Sequence, residues 1–252
     1  MTIALGGVPY GVGAPLLAGL EGDAACRLVQ RPPTELIGLL RAGELDAALV
    51  SSIEAVRLPG YRVLAGLGIA SKQEVRSVRA FRRRGHRIRS VGVDRSSATS
   101  AALLQLLLRG PRRAECDGEP TLHDVAPTRT PDALPHDLVL LIGDHGLSAD
   151  AGAREVWDLA REWRRWTGLP FVFAVWLLRP GADVARIGPL LRAARARGRE
   201  LGAIDGTHGK AHYDLDADDV RGVQRFWAEA KSLGLASAAD PLFVNSSNSA
   251  PR

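Results

Sequence analysis

Residues 90–110, SVGVDRSSATSAALLQLLLRG, change from a strand pattern to a helix pattern within a few positions. Ser90 to Asp94 is a short apolar run of strand type. Asp94-Arg95-Ser96-Ser97 is turn chemistry, and Ala101 to Arg109 is a helix stopped by Gly110. A buried strand that feeds a helix through a polar turn is the repeating unit of layered α/β proteins. The same grammar recurs on both sides. Upstream, Thr34 to Arg41 reads as a helix with Thr34 as its cap and Gly43 as its stop, followed by a buried strand over Asp46 to Val50 that ends at Ser51 and Ser52. Strands are expected over 61–66 and 75–81. Downstream, DLVLLIGD (137–144) is the clearest buried strand, Ala153 to Trp166 has helical periodicity, and LPFVFAVWLL (169–178) is another buried strand. Arg179-Pro180-Gly181 breaks the pattern before two helices, 183–197 and 216–232. The Ser/Asn-rich tail from Asn245 is expected to be disordered.

This order predicts two α/β lobes: residues 1–84 plus 179–252 form lobe one, and 85–178 form lobe two. Two crossings, near 82–88 and 176–181, would act as a hinge, and ligands favour the cleft between such lobes.

Composition narrows the function. The 252 residues are 46% hydrophobic and 24% charged, as in ordinary globular proteins. No apolar run reaches the roughly 18 residues that span a bilayer, so no membrane partner is expected. The N-terminal stretch MTIALGGVPYGVGAPLLAGL has no basic n-region and is interrupted by Pro9 and Pro15, so it reads as strand and loop rather than signal peptide. A cytoplasmic protein is expected. Net charge is +5, nearly all from Arg, with Arg82-Arg83-Arg84 the only tight run. Basic residues are neither interleaved with aromatics nor set on a recognition helix, so nucleic acid is not an expected partner, although the field suits anionic small molecules. Cys26 and Cys116 lack metal-site spacing, the His residues form no ligand pattern, and neither a metal nor a cofactor is expected.

The turn before the helix carries the chemistry. The first turn of a helix has unpaired N–H groups and the positive end of the dipole. Ser97, Thr99 and Ser100 add hydroxyls there, and Ser96 lies one residue upstream, which together would cradle a carboxylate or phosphate. Plain helix capping uses the same residue types. Ser51 and Ser52 end a strand, the edge where α/β proteins bind ligands, and Glu54 follows. Asp144 also follows a buried strand, as ligand contact, structural cap or partner of His145. Phe171 or Phe173 could wall a ring pocket. No Ser-His-Asp or Cys-His arrangement is legible.

These pieces, LLRAGELDAALVSSIEA (39–55), YRVLAGLGIAS (61–71), VRSVRAF (75–81), VDRSSATSAALLQLLL (93–108), DLVLLIGDHGL (137–147), TGLPFVFAVW (167–176) and, more loosely, YDLDADDVRGVQRFW (213–227), occur in the order of a known family. The chain resembles the chorismate dehydratases of the futalosine route to menaquinone. The resemblance implies a type II periplasmic-binding-protein-like fold used as a cofactor-free lyase that converts chorismate to 3-[(1-carboxyvinyl)oxy]benzoate, as a monomer or homodimer. It implies catalytic roles for Ser97 and Thr99, with Ser51, Ser52, Ser96, Ser100 and Asp144 binding the substrate. Where the family has Tyr-Leu-Asn-(Ser/Thr)-x-Pro-Leu, this chain has Tyr10-Gly11-Val12-Gly13-Ala14-Pro15-Leu16. Val12 stands in place of an active-site Asn and Gly13 in place of a hydroxyl; Val12 can neither donate nor accept a hydrogen bond. Gly11 and Gly13 would let backbone amides approach the substrate instead. The alternatives are a non-catalytic cytoplasmic binding protein for an aromatic or dicarboxylic acid, and the ligand-sensing module of a regulator, for which no helix-turn-helix segment is seen.

Overall fold

The computed structural model describes residues 2–201 and 208–245. Among them, twelve strands are divided between two sheets. The first sheet contains β1 (Ile3–Gly7), β2 (Cys26–Gln30), β3 (Ala47–Ser51), β4 (Arg62–Ser71), β10 (Phe171–Leu178), β11 (Ala211–Asp214) and β12 (Leu242–Val244). Its order is β11-β4-β10-β3-β1-β2, with β12 also on β4. The second contains β5 (Val78–Arg82), β6 (Ile88–Val93), β7 (Cys116–Asp124), β8 (Leu138–Ile142) and β9 (Glu155–Asp158), in the order β7-β6-β8-β5-β9. Helices α1 (Pro33–Arg41), α2 (Ala98–Arg109), α3 (Gly143–Ser148), α4 (Leu159–Thr167), α5 (Val184–Glu200) and α6 (Ala217–Ser232) complete the layers.

Both lobes follow one rule. Within each, the second, first and third strands run parallel, and a strand that has crossed from the other lobe is inserted next. That guest strand is β10 in lobe one, antiparallel to β3 and β4, and β5 in lobe two, antiparallel to β8 and β9. The chain therefore crosses over 72–77 and again near 168–170. This corrects the expected boundaries at 84 and 178: β5 pairs within the second sheet and β10 within the first. Strand composition alone cannot say which sheet supplies the hydrogen-bonding partners.

Local departures have local causes. The expected helix over 153–166 starts only at Leu159, because Glu155–Asp158 pairs with β5 as β9. Asp158 then accepts the Arg161 amide as the α4 cap, and Gly168, at φ 73°, ends the helix in the left-handed conformation that glycine adopts without strain. Helix α1 begins one residue early at Pro33, a favoured first helical position, so Thr34 is not its cap. Asn245 closes the described region, and the rest of the expected disordered tail lies outside it.

The lobes are bound together close to the crossings. Trp163 of α4 donates to the Pro170 carbonyl at 3.0 Å, and its ring meets Phe171 of β10 edge-on. Asp158 of lobe two accepts the amides of Val75 and Arg76 in the first crossing, the latter at 2.7 Å. Burial pushes the Asp158 carboxyl above the ordinary carboxylate range, and the amides that it accepts oppose that rise.

Candidate active site

The cleft between the lobes encloses about 550 Å³, including the open space at its mouth. Lobe one contributes Val8, Tyr10 and Val12 from the loop after β1, Ser51 from the end of β3, and Phe173 from β10. Lobe two contributes Ser97 and Ser100 at the front of α2, Ile142 at the end of β8, and Gly143. Val75 and Ser77 line it from the first crossing. Most of the wall is aliphatic. Among the described residues no Lys, Arg, His, Asp or Glu lines it.

Positive potential therefore comes from backbone. Ser97 is the N-cap of α2; its Oγ accepts the Ser100 amide at 3.2 Å and lies 2.9 Å from the Ser100 Oγ. The helix's own ladder opens with the Ala101 amide on the Ser97 carbonyl, which leaves the Ala98 and Thr99 amides in the unpaired first turn. Two hydroxyls and a helix N-terminus facing an apolar cavity are suited to a carboxylate whose body is hydrophobic.

Three expected residues, Ser51, Ser97 and Ser100, meet in this cleft, and Val12 lines it too. Others lie elsewhere. Thr99 and Ser52 are wholly buried and face each other: the Thr99 Oγ1 accepts the Ile53 amide at 3.1 Å and lies 3.3 Å from the Ser52 Oγ, which donates to the Val172 carbonyl at 2.7 Å. Direct contact of Thr99 or Ser52 with a ligand is corrected to a tie between the lobes, made because α2 packs against the turn 52–56 and α6. Ser96 uses its amide and hydroxyl on Asp94, at 2.9 and 2.5 Å, and shapes the turn. The Gly13 amide donates to the Tyr10 carbonyl at 2.8 Å and is not open to a ligand. Asp144 and His145 are exposed at the start of α3, outside the cleft lining. Glu54 is a buried counterion, 2.6 Å from Arg57 and 2.9 Å from Arg41. Phe173, not Phe171, walls the cleft; Phe171 packs against Trp163 and Phe226.

Two lining groups were missed by sequence reasoning. Ser77 looked like one more strand residue beside Val75 and Val78. Tyr10 stood in the quoted motif without a role, although its aromatic hydroxyl in a glycine-flanked loop was the available signal. Its ring lies over Gly143 of the opposite lobe: a Cβ at 143 would be 3.6 Å from the ring. Burial raises the Tyr10 phenol above its ordinary value, the Asp94 carboxylate raises it further, and the Ser96 hydroxyl pulls the other way.

Two lobes hinged by two crossings around a ligand cleft define a periplasmic-binding-protein-like protein. Solved structures agree at the level of the fold. A protein of Archaeoglobus fulgidus superposes with a TM-score of 0.63 at 14% identity, covering 93% of this chain and 98% of that one. The periplasmic aliphatic sulphonate binding protein of Escherichia coli gives 0.60 at 13%, covering 93% of each chain. Residues 3–205 match the family described as menaquinone biosynthesis, and the chain belongs to that family. A chorismate dehydratase of Thermus thermophilus is 31% identical over 284 aligned positions, spanning 93% of this chain and 98% of the relative.

Proposed function

We propose that this chain is a hydro-lyase that removes water from chorismate to give 3-[(1-carboxyvinyl)oxy]benzoate in menaquinone biosynthesis, acting in the cytoplasm. The observation that carries this reading is the front of α2, with Ser97 and Ser100, opening onto an apolar cleft walled by Phe173. Chorismate offers two carboxylates and a ring that becomes aromatic when water leaves. The helix front would hold the ring carboxylate, and the aliphatic wall would hold the ring.

Among the described residues, the cleft lining contains no carboxylate or imidazole to act as base. The substrate's side-chain carboxylate takes the C3 proton while the closed cleft holds it nearby. Such positioning is worth roughly 7–11 kcal/mol of barrier. The electron pair of the C–H bond enters the ring, the C4–O bond breaks, and aromaticity drives the step. Ser97 and Ser100 stabilise charge on the ring carboxylate. Val12, which offers no hydrogen bond, favours one rival reading, a binding protein for an aromatic acid. Incubating the purified chain with chorismate and following the benzoate product by chromatography decides between them: product is expected, whereas tight binding without product establishes the rival.

A further inference from the structure

Loss of a ring hydroxyl creates a second demand, because hydroxide is a poor leaving group unless a proton reaches it as the C–O bond breaks. Serine hydroxyls at a helix front are poor proton donors. Among the described residues, the cleft lining holds one titratable side chain, Tyr10. It belongs to lobe one, yet its ring lies over Gly143 of lobe two and its hydroxyl meets the Ser96 side chain, in the turn just before the Ser97–Ser100 cradle. The Ser96 turn beside it is fixed by Asp94, which is 1% exposed and accepts both the amide and the hydroxyl of Ser96.

We propose that the Tyr10 hydroxyl donates the proton that turns the departing ring hydroxyl into water. This assignment rests on the dehydratase reading. In the step, the substrate carboxylate removes the C3 proton, the C–H pair forms the new ring double bond, the C4–O bond breaks, and its oxygen takes the Tyr10 proton. The phenolate is then reprotonated through solvent by the carboxylic acid just formed. One water is released and no redox partner is needed. Of the groups that face Tyr10, the Ser96 hydroxyl favours the phenolate, and the others, with burial, outweigh it and keep the phenol protonated. The carboxylates of Asp94 at the end of β6, Asp144 in α3 and Glu35 in α1 all disfavour the phenolate, as burial does, and His208 lies beside the neighbouring Gly11. Although a phenol held above its ordinary value is a weaker acid, hydroxide is a much stronger base than phenolate, so the transfer remains downhill.

The test is Tyr10→Phe, which removes one oxygen from a half-buried ring; unchanged circular dichroism and melting temperature show that the fold is kept. On chorismate, kcat is expected to fall by about 10²-fold or more, the usual contribution of a general acid, with KM little changed. An analogue with fluoride in place of the C4 hydroxyl needs no such proton, and on it Tyr10→Phe is expected to match the wild type. The wild-type kcat on chorismate is expected to decline on the alkaline side, above the ordinary phenol range, and the residual activity of the variant is expected to lack that limb. Wild-type turnover with an equally active Tyr10→Phe overturns the assignment alone. So does an equal loss on the fluoride analogue, or a loss confined to KM. A wild type inert on chorismate overturns the dehydratase reading, and the assignment with it.

Discussion

Ser97 serves the backbone and the cleft with one oxygen. Its Oγ caps the Ser100 amide and shares a 2.9 Å hydrogen bond with the Ser100 hydroxyl, while both side chains line the cavity. Ser97→Ala is expected to cost about 1 kcal/mol of stability, the usual worth of a lost cap, and also to weaken binding of the benzoate product in titration calorimetry. Ser97→Gly, which costs only a few tenths as a cap, should retain the binding defect. If the two variants bind product like the wild type, the hydroxyl grips nothing. Thr99 makes a different prediction because it lies outside the cleft lining. Thr99→Val preserves shape but leaves the buried Ile53 amide without its acceptor, a penalty of roughly 1–3 kcal/mol. Thr99→Ser keeps the oxygen and should melt near the wild type. A Thr99→Val protein as stable as the wild type would show that this tie between the lobes contributes nothing.

At the scale of elements, the clearest electrostatic device is the start of α6. The Asp216 carboxylate accepts the Asp218 and Asp219 amides at 2.9 and 3.1 Å, while Asp219 returns the bond to the Asp216 amide. The hydrogen bond from Lys72, more than any other influence, holds the Asp216 carboxyl well below the usual carboxylate range. A depressed folded-state value means that this stabilisation is complete above the unfolded-state value and is lost as pH falls through the folded one. Asp216→Ala should therefore cost about 1 kcal/mol at neutral pH, and the gap from the wild type should narrow only below the ordinary Asp range. Denaturant melts at stepped pH measure it; a gap that is constant into strong acid would refute the ionic origin. Other elements show which features were legible in sequence. The strand–turn–helix of β6 and α2 could be read because periodicity, turn residues and caps agree there. The β9–α4 boundary could not, since Val156 and Trp157 suit either periodicity and only pairing with β5 selects the strand. The same holds for the site: Ser51, Ser97 and Ser100 sit where local rules put ligands, whereas Tyr10 and Ser77 become cleft residues only because two lobes meet. Thr99 misled because Ser97 and Ser100 on either side of it line the cleft while its own side chain turns toward Ser52.

For the molecule as a whole, the two crossings and the ties around them define how the cleft must open. The Thr99–Ile53 bond, the Asp158 contacts and the Trp163–Pro170 bond hold the lobes together beside the crossings. Tyr10 over Gly143 is instead a half-buried, solvent-facing contact, tied across the lobes by a side-chain hydrogen bond with Ser96. The lobes are therefore expected to part at Tyr10 when ligand enters and to close there when it binds, so that saturating product lowers the radius of gyration seen by X-ray scattering. Gly143 makes this testable because two effects of substitution separate. At φ 60°, any side chain strains the backbone by about 1–2 kcal/mol. The Cβ of Gly143→Ala would rest at 3.6 Å from Tyr10, an ordinary contact, so this variant should lose stability yet still compact on binding. The branched carbons of Gly143→Val reach further into the ring. That variant should carry greater backbone strain than Gly143→Ala, because a β-branched residue fits positive φ worse, and should also remain expanded with ligand present and bind product more weakly. If Gly143→Val compacts as fully as Gly143→Ala, closure does not pass through this contact.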